Sequence, residues 1–178
     1  MRKAVVFIAS LIPVIIFGAY ALSAVAAQPV RDPRALESAL VMVCRRLFEN
    51  PGDWSASPPE LGLALEDESG SVWSFVIDPG KLESLGSLSY QELKDLLGLE
   101  EIDVRISFYP LNVTVDNMTS PGVHASFSED PDLVIGSRVT KGFSVAVSLY
   151  VYLAGDSSPP GGSLSEGFYR VVVEAFWG

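Results

Sequence analysis

The sequence predicts an α+β protein, in which an N-terminal transmembrane or stalk helix precedes an antiparallel, sandwich-like β-sheet domain with two short inserted helices. Three observations predict this class. An uncharged apolar run fills the N-terminus, leucines at helical spacing follow it, and several later segments alternate apolar and polar residues as half-buried strands do. We therefore assign a membrane-spanning or leader segment to residues 1–27, an amphipathic stalk helix to 28–50 and an exported β-rich domain to 51–178.

The apolar run extends from Ala4 to Ala27 without a charged residue. As a helix it would measure about 36 Å at about 1.5 Å per residue, which is enough to cross a bilayer. Arg2 and Lys3 favour a cytoplasmic N-terminus, and this places residues 28–178 outside the cytoplasm. Three interpretations stay open: a retained single-pass anchor, a signal peptide cleaved after Ala24-Val25-Ala26, and a prepilin-type leader cleaved next to Ala4.

The next segment has the pattern of an amphipathic helix. Asp32 and Pro33 suit the first positions of a helix, because Asp caps the chain and Pro lacks only an N–H that would have no partner there. Asn50-Pro51-Gly52 ends the pattern after Glu49. The apolar positions share one face of this helix: Leu36, Leu40, Val43 and Leu47.

A hairpin and two short helices are predicted next. Residues 61–65 and 72–77 alternate around a turn-rich segment, which is typical of a hairpin. A short helix is predicted from Asp78-Pro79 to Leu85. Ser89 and Glu92 have the spacing of a capping box, so a second short helix begins there and ends before Gly98.

The remaining chain predicts long strands separated by loops. Residues 102–109 alternate cleanly, and Pro110 predicts a bulge or an edge position before the strand continues to Val115. Residues 116–138 read as an irregular surface excursion. Residues 143–153 and 168–177 are strands that we expect to pair antiparallel, giving a sheet of roughly five strands.

Charge and the scarce reactive side chains exclude most function classes. The chain has 22 acidic and 12 basic residues and a formal charge of −10, which argues against binding nucleic acid. A single cysteine, Cys44, excludes an intrachain disulfide, and a single histidine, His124, excludes a site built on a histidine pair. We therefore expect no catalytic residue, no metal, no cofactor, no small-molecule substrate and no enzymatic activity. An exported hydrolase that acts through unrecognised acidic residues is the rival interpretation.

Several motifs have a functional and a structural interpretation. The acidic groups 66–68 and 129–132 supply oxygen ligands but lack the spacing of a calcium loop, so solvated turns are favoured. Trp54, Trp73 and Trp177 suit a ligand groove or the core, and the core is favoured. Asn112 and Asn117 each begin an N-x-[ST] triplet and would accept a glycan if the segment is exported.

The order of short blocks resembles that of pilin-like membrane-anchored proteins of archaea. The blocks that carry the resemblance are Phe48-Glu49-Asn50-Pro51-Gly52-Asp53-Trp54, Leu61-Gly62-Leu63-Ala64, Ile77-Asp78-Pro79-Gly80-Lys81-Leu82, Leu88-Ser89-Tyr90, Leu96-Leu97-Gly98-Leu99 and the closing Phe176-Trp177. The resemblance implies a subunit of a type IV pilus-like assembly. Its hydrophobic helix would lie in the cell membrane before assembly and pack against copies of itself or other pilin-like subunits afterwards.

The sequence departs from better-defined pilins in two places. The leader signal consists only of Lys3-Ala4, and no acidic residue follows early in the apolar run, where Ala9 stands instead. A major subunit, a minor subunit and a membrane-tethered extracytoplasmic binding or adhesion domain that never polymerises therefore remain open interpretations.

Overall fold

Three helices and a seven-stranded sheet make up the described part of the chain, which in this computed structural model comprises residues 32–116, 122–137 and 143–178. The strand order is β1-β2-β6-β7-β3-β4, and β5 pairs with β3 as well. The helices are α1 (Pro33–Phe48), α2 (Pro79–Ser87) and α3 (Tyr90–Leu97). The strands are β1 (Ala64–Glu66), β2 (Val72–Ile77), β3 (Ile102–Asp116), β4 (Gly122–Phe127), β5 (Leu133–Gly136), β6 (Ser144–Leu153) and β7 (Gly167–Trp177).

Helix α1 forms the centre of the core. The predicted apolar face of this helix is confirmed, because Leu36, Leu40, Val43 and Leu47 are all buried. They join one hydrophobic cluster with the leucines of α2 and α3 and with one face of the central strands. The helix lies against β7, β6 and β2. Its stability therefore comes from packing on the sheet and not from helix propensity alone.

The prediction of an N-terminal transmembrane or stalk helix is wrong for the described residues. Helix α1 belongs to the compact unit Pro33–Gly178, and its apolar face covers the sheet. The pattern of buried leucines is the same for a helix that packs on a sheet as for one that extends from it, so the sequence did not separate the two. No helix in residues 32–116, 122–137 or 143–178 is long and apolar enough to cross a membrane. The apolar run 4–27 lies outside the described residues.

The prediction of an antiparallel, sandwich-like sheet is also wrong. Strand β2 pairs with β6 in the parallel direction, with Val76 opposite Tyr152 and Ile77 opposite Leu153, so the sheet is mixed. The described strands belong to one sheet whose second layer is made of helices. The two inserted helices are confirmed, and the predicted antiparallel pairing of the last two long strands is seen between β6 and β7.

Strand β3 organises one half of the sheet. One of its edges pairs with β7, and its other edge pairs first with β5 and then with β4. The irregular excursion predicted at 116–138 is therefore wrong, since both β4 and β5 lie within it. Pro110 causes neither a bulge nor an edge position, because its carbonyl accepts a hydrogen bond from Ser128 N at 2.9 Å, between the segments that pair with β5 and β4.

The two inserted helices begin at the capping residues that the sequence predicts. Asp78 accepts a hydrogen bond from Lys81 N at the start of α2. Ser89 and Glu92 form the predicted reciprocal capping box of α3, and Gly98 ends that helix with φ of 71°. These local interactions fix both helices between β2 and β3.

The loop after α1 is held closed by two glycines. A Cβ on Gly62 would lie 2.4 Å from Gly52 N, so only glycine permits this approach of the two backbone segments. Asp53 and Glu60 form an isolated antiparallel bridge in the same loop, and Trp54 Nε1 donates a hydrogen bond to Gly62 O at 2.7 Å. The loop therefore fixes the end of α1 to the segment that leads into β1.

Candidate interaction surfaces

The outer edge of β6 is the most unusual surface of the sheet. Strand β2 pairs with β6 only at Tyr152 and Leu153, and no strand in the described ranges pairs with the same edge of residues 144–150. Ala154 N donates to Ile77 O at 3.0 Å on this side. Because successive residues of a strand direct their backbone groups to opposite edges, Ser144, Ala146, Ser148 and Tyr150 also direct their N–H and C=O groups towards it. We call residues 144–150 the free edge.

Strand β2, which pairs with the end of β6, is irregular. Its register with β1 shifts so that Ala64 pairs with Ile77 but Leu65 pairs with Trp73, which leaves the intervening residues of β2 as a bulge. Phe75 in this bulge has a φ of 63°, a backbone conformation that residues other than glycine rarely adopt. Within this irregular part of β2, only Val76 and the following Ile77 pair with β6.

Large apolar side chains are exposed both on β6 near the free edge and on β2. On β6 and just before it, Phe143 is 59% exposed and Tyr150 is 64% exposed, and Val147 is exposed as well. On β2, Trp73 is 56% exposed, with Val72 and Phe75 beside it in the chain. These side chains give β2 and β6 exposed apolar surface of a kind that suits contact with another molecule.

A second surface lies on the sheet face opposite the helices. The rings of Phe127 and Tyr150 are 5.4 Å apart, and the guanidinium of Arg170 lies 4.8 Å from the ring centre of Tyr109 and 5.7 Å from that of Phe127. The rings of Tyr152 and Phe168 meet edge to face at 5.0 Å. We call these residues the aromatic face: Tyr109, Phe127, Tyr150, Tyr152, Phe168 and Arg170.

The aromatic face combines apolar rings with a few polar groups. Tyr152 donates a hydrogen bond to Glu166, and this bond raises the pKa of the tyrosine above its ordinary value. Arg170 Nε is buried and makes no hydrogen bond within the described part of the chain. Rings with a guanidinium between them suit a flat ligand or a peptide better than they suit general acid–base chemistry.

Of the residues predicted for processing and glycosylation, Asn112 alone lies among the described residues. Asn112 lies on β3 opposite Ser126, and its side chain is exposed. Asn117 and Ala4 lie outside the described residues. His124 belongs to β4, where its backbone is opposite Thr114, and not to the loop that we predicted.

The acidic groups act as turn formers. The Asp67 carboxylate accepts hydrogen bonds from Ser69, Ser71 and Trp73, and the bond from Ser69 contributes most to lowering its pKa to about 2. Glu129, Asp130 and Asp132 are exposed. No group of three or more metal-ligating side chains occurs in the part of the chain that the structure describes.

The tryptophans have different environments. Trp54 packs against the core and donates to Gly62 O, and Trp177 also packs against the core, as predicted. Trp73 does not, since its side chain is exposed and donates a hydrogen bond to Asp67 Oδ2 at 3.3 Å.

Cys44 is a partly buried residue on α1. Burial, with a smaller contribution from Glu49, raises the pKa of its thiol to about 11, so the thiolate is scarce near neutral pH. The side chain packs against the core as a small hydrophobe and is a poor nucleophile.

One polar cluster connects α3 with β3. Tyr90 Oη donates to Asp103 Oδ1 at 2.7 Å, Lys94 Nζ donates to the same oxygen at 2.9 Å, and Val104 N donates to Tyr90 Oη at 3.2 Å. Burial is the main cause that raises the pKa of Tyr90 to about 12. Every member has a partner on the neighbouring element, which is the arrangement of a structural cluster.

A surface hollow of about 880 Å³ lies beside this region, between the loop after α1 and helix α3. Arg46 is in its lining and donates to Leu96 O at 2.8 Å. Asp53 in the same lining accepts hydrogen bonds from Ser55, and these bonds hold its pKa below the ordinary range. Both groups are engaged in holding the loop and the helix.

The free edge and the aromatic face were not found by reading the sequence. A signal was present, because residues 142–155 contain no charged side chain in a chain with 34 charged residues. The chain matches no family model, no curated protein and no solved structure.

Proposed function

We propose that the protein is a non-catalytic pilin-like subunit, or an accessory component, of an archaeal type IV pilus-like surface assembly. In this proposal the apolar segment 4–27 holds the chain in the cell membrane and packs against neighbouring subunits once assembly begins. The acidic unit 33–178 faces the outside and keeps the assembly soluble.

The observation that supports this proposal best is the separation of charge along the chain. The segment Ala4–Ala27 has no charged residue, although the whole chain has a formal charge of −10. An apolar surface of that size is tolerated only when lipid or protein covers it. The free edge adds a second uncharged surface, on the folded unit, that is suited to contact between proteins.

Electron microscopy of cells with and without the gene tests the proposal. We expect surface filaments to disappear or shorten on deletion, and N-terminal sequencing of the mature protein to begin near Ala4. Substitution Ile15→Lys places a charge inside the apolar segment, at about 3 kcal/mol in a bilayer, and should prevent membrane retention and assembly. The matched variant Val41→Lys changes an exposed residue of α1 and should leave both intact. Unchanged filaments in the deletion strain would refute the assembly role.

The aromatic face favours a second candidate, a membrane-tethered binding or adhesion domain that does not polymerise. Its rings and Arg170 form an open platform on the side of the sheet that the helices do not cover. For this function, Tyr150→Ala with Phe168→Ala should reduce attachment of cells to a surface while filament number stays unchanged. Equal attachment by the wild type and this double variant would argue against adhesion through the face.

A further inference from the structure

The strand that carries the free edge lacks the sequence features that usually protect an edge strand. Natural sheets place lysine, proline or an inward-pointing charge on an exposed edge, or keep the strand short. Strand β6 is ten residues long, and it contains neither a proline nor a charged residue. Side chains on both faces of residues 144–150 are exposed or half-buried. The backbone groups of Ser144, Ala146 and Ser148 on this edge are therefore available to another strand.

The charge distribution limits which partner would fit. Identical copies with a charge of −10 repel one another over most of their surfaces. Residues 142–155 are uncharged, so two such strands pair without bringing acidic side chains of their own into contact. The nearest acid on the neighbouring strand, Glu174, lies 4.0 Å from Arg105, which offsets its charge.

The sequence of the strand is self-complementary when it is read in opposite directions. Residues 144–148 read Ser-Val-Ala-Val-Ser, which is symmetric about Ala146. In an antiparallel pair centred on this alanine, Ala146 is opposite Ala146 of the second copy and Ser144 is opposite Ser148. Val145 is then opposite Val147, and Phe143 is opposite Leu149. Every position therefore meets a residue of the same character.

The backbone geometry fits the same register. Antiparallel strands exchange both hydrogen bonds at alternate residue pairs. With Ala146 at the centre, these pairs join only even-numbered residues, and the even-numbered residues are those whose N–H and C=O groups are directed to the free edge. The partner strand ends before Tyr152, where β2 begins to pair with β6.

We propose that β6 binds β6 of a second copy of this chain in the antiparallel direction, with the two-fold axis at Ala146. The two sheets then form one continuous sheet across the pair of molecules. The pairing covers residues 143–149 of each copy, which is about 24 Å of strand at about 3.4 Å per residue. A single added strand is a small interface, so the pairing is weak in dilute solution and strong where copies are held close together. It does not depend on whether the assembly is a pilus-like filament.

Disulfide trapping of the full chain in phosphatidylcholine vesicles tests the register. In a Cys44→Ala background, Ala146→Cys places two thiols opposite each other, with Cα atoms about 5.5 Å apart, within the range that a disulfide spans. Ser148→Cys is the matched control, because this residue is also exposed and on the same face but lies opposite Ser144. We expect an oxidised dimer with Ala146→Cys at a yield at least about tenfold above that of Ser148→Cys. Mixing Ser144→Cys with Ser148→Cys should restore the dimer.

A charge at the two-fold axis gives a second measurement. Adding Ala146→Lys to the Ser144→Cys and Ser148→Cys pair should reduce the dimer roughly tenfold or more, because like charges directly opposite each other oppose pairing. Equal yields from Ala146→Cys and Ser148→Cys would overturn the proposal, since they would show proximity without this register. A higher yield from Ser126→Cys on the edge strand β4 would also overturn it. Filament loss on gene deletion is scored separately, so either proposal can fail alone.

Discussion

Replacing Leu40 by alanine tests whether α1 belongs to the core of the folded unit. Leu40 is 3% exposed and belongs to the main hydrophobic cluster, whereas its neighbour Val41 is 55% exposed on the same helix. A helix that extended away from the sheet as a stalk would respond equally weakly to both substitutions. A helix that packs on β6 and β7 responds strongly to the first alone.

The size of the effect follows from burial. The substitution removes three carbon atoms from the core at about 0.8 kcal/mol each, and the cavity left behind adds to that loss. We expect Leu40→Ala to lower the free energy of unfolding by about 3 kcal/mol and Val41→Ala by less than about 0.5 kcal/mol. For a unit of this size, the first change corresponds to a fall in melting temperature of roughly 10 °C.

Thermal and urea unfolding of the full chain in a non-ionic detergent measures both variants. Tryptophan fluorescence is a suitable probe, because Trp54 and Trp177 pack against the core. Melting temperatures of the two variants within about 2 °C of each other would refute the assignment of α1 to the core.

Three further predictions concern local interactions. Ser89→Ala removes the cap of α3 and should cost about 1 kcal/mol in unfolding free energy, whereas Glu92→Gln keeps the reciprocal bond and should cost much less; equal losses would argue against the capping box. Burial raises the pKa of Asp103, but hydrogen bonds from Lys94 and Tyr90 outweigh it and hold the pKa below the ordinary value of about 3.9. The ionised Asp103 therefore stabilises the fold above pH of about 3.9, and this stabilisation is lost as the pH falls through the lower pKa of the folded state. Asp103→Asn should reduce the free energy of unfolding in urea by about 2 kcal/mol at pH 7 and by clearly less near pH 2. The same reduction at both pH values would contradict this. Because the pKa of Cys44 is about 11, its alkylation by iodoacetamide at pH 8 should be roughly a hundredfold slower in the folded chain than in urea, as measured by mass spectrometry, and equal rates would contradict its burial.

Local signals in the sequence predicted the helices well. The capping box at Ser89, the proline at the start of α1 and the glycine after α3 each act within one turn of helix, so their consequences can be derived without knowing the fold. The same holds for the hairpin that joins β1 and β2 and for the pairing of β6 with β7, which are consecutive strands.

Long-range pairing was beyond such reasoning. The sequence of residues 72–77 does not indicate that they pair in parallel with β6. The apolar face of α1 likewise does not indicate which element packs against it. The short strands β4 and β5 were missed because Pro121-Gly122 and the acidic turn at 128–132 dominate their local composition. The candidate surfaces were missed for a different reason. A free edge and an aromatic face can be identified only when the order of the strands in the sheet is known.

The position of α1 determines how the folded unit would respond to mechanical tension. This helix is the first element of the unit and also the centre of its core, and the Gly52–Gly62 contact holds its far end to the chain leading into β1. A pulling force that arrives through the residues before Pro33 therefore acts directly on the helix, and the interface that the helix shares with β6 and β7 opposes it. Sliding a long buried interface requires many contacts to break together, so we expect the unit to resist stretching from its N-terminal side better than peeling from β4.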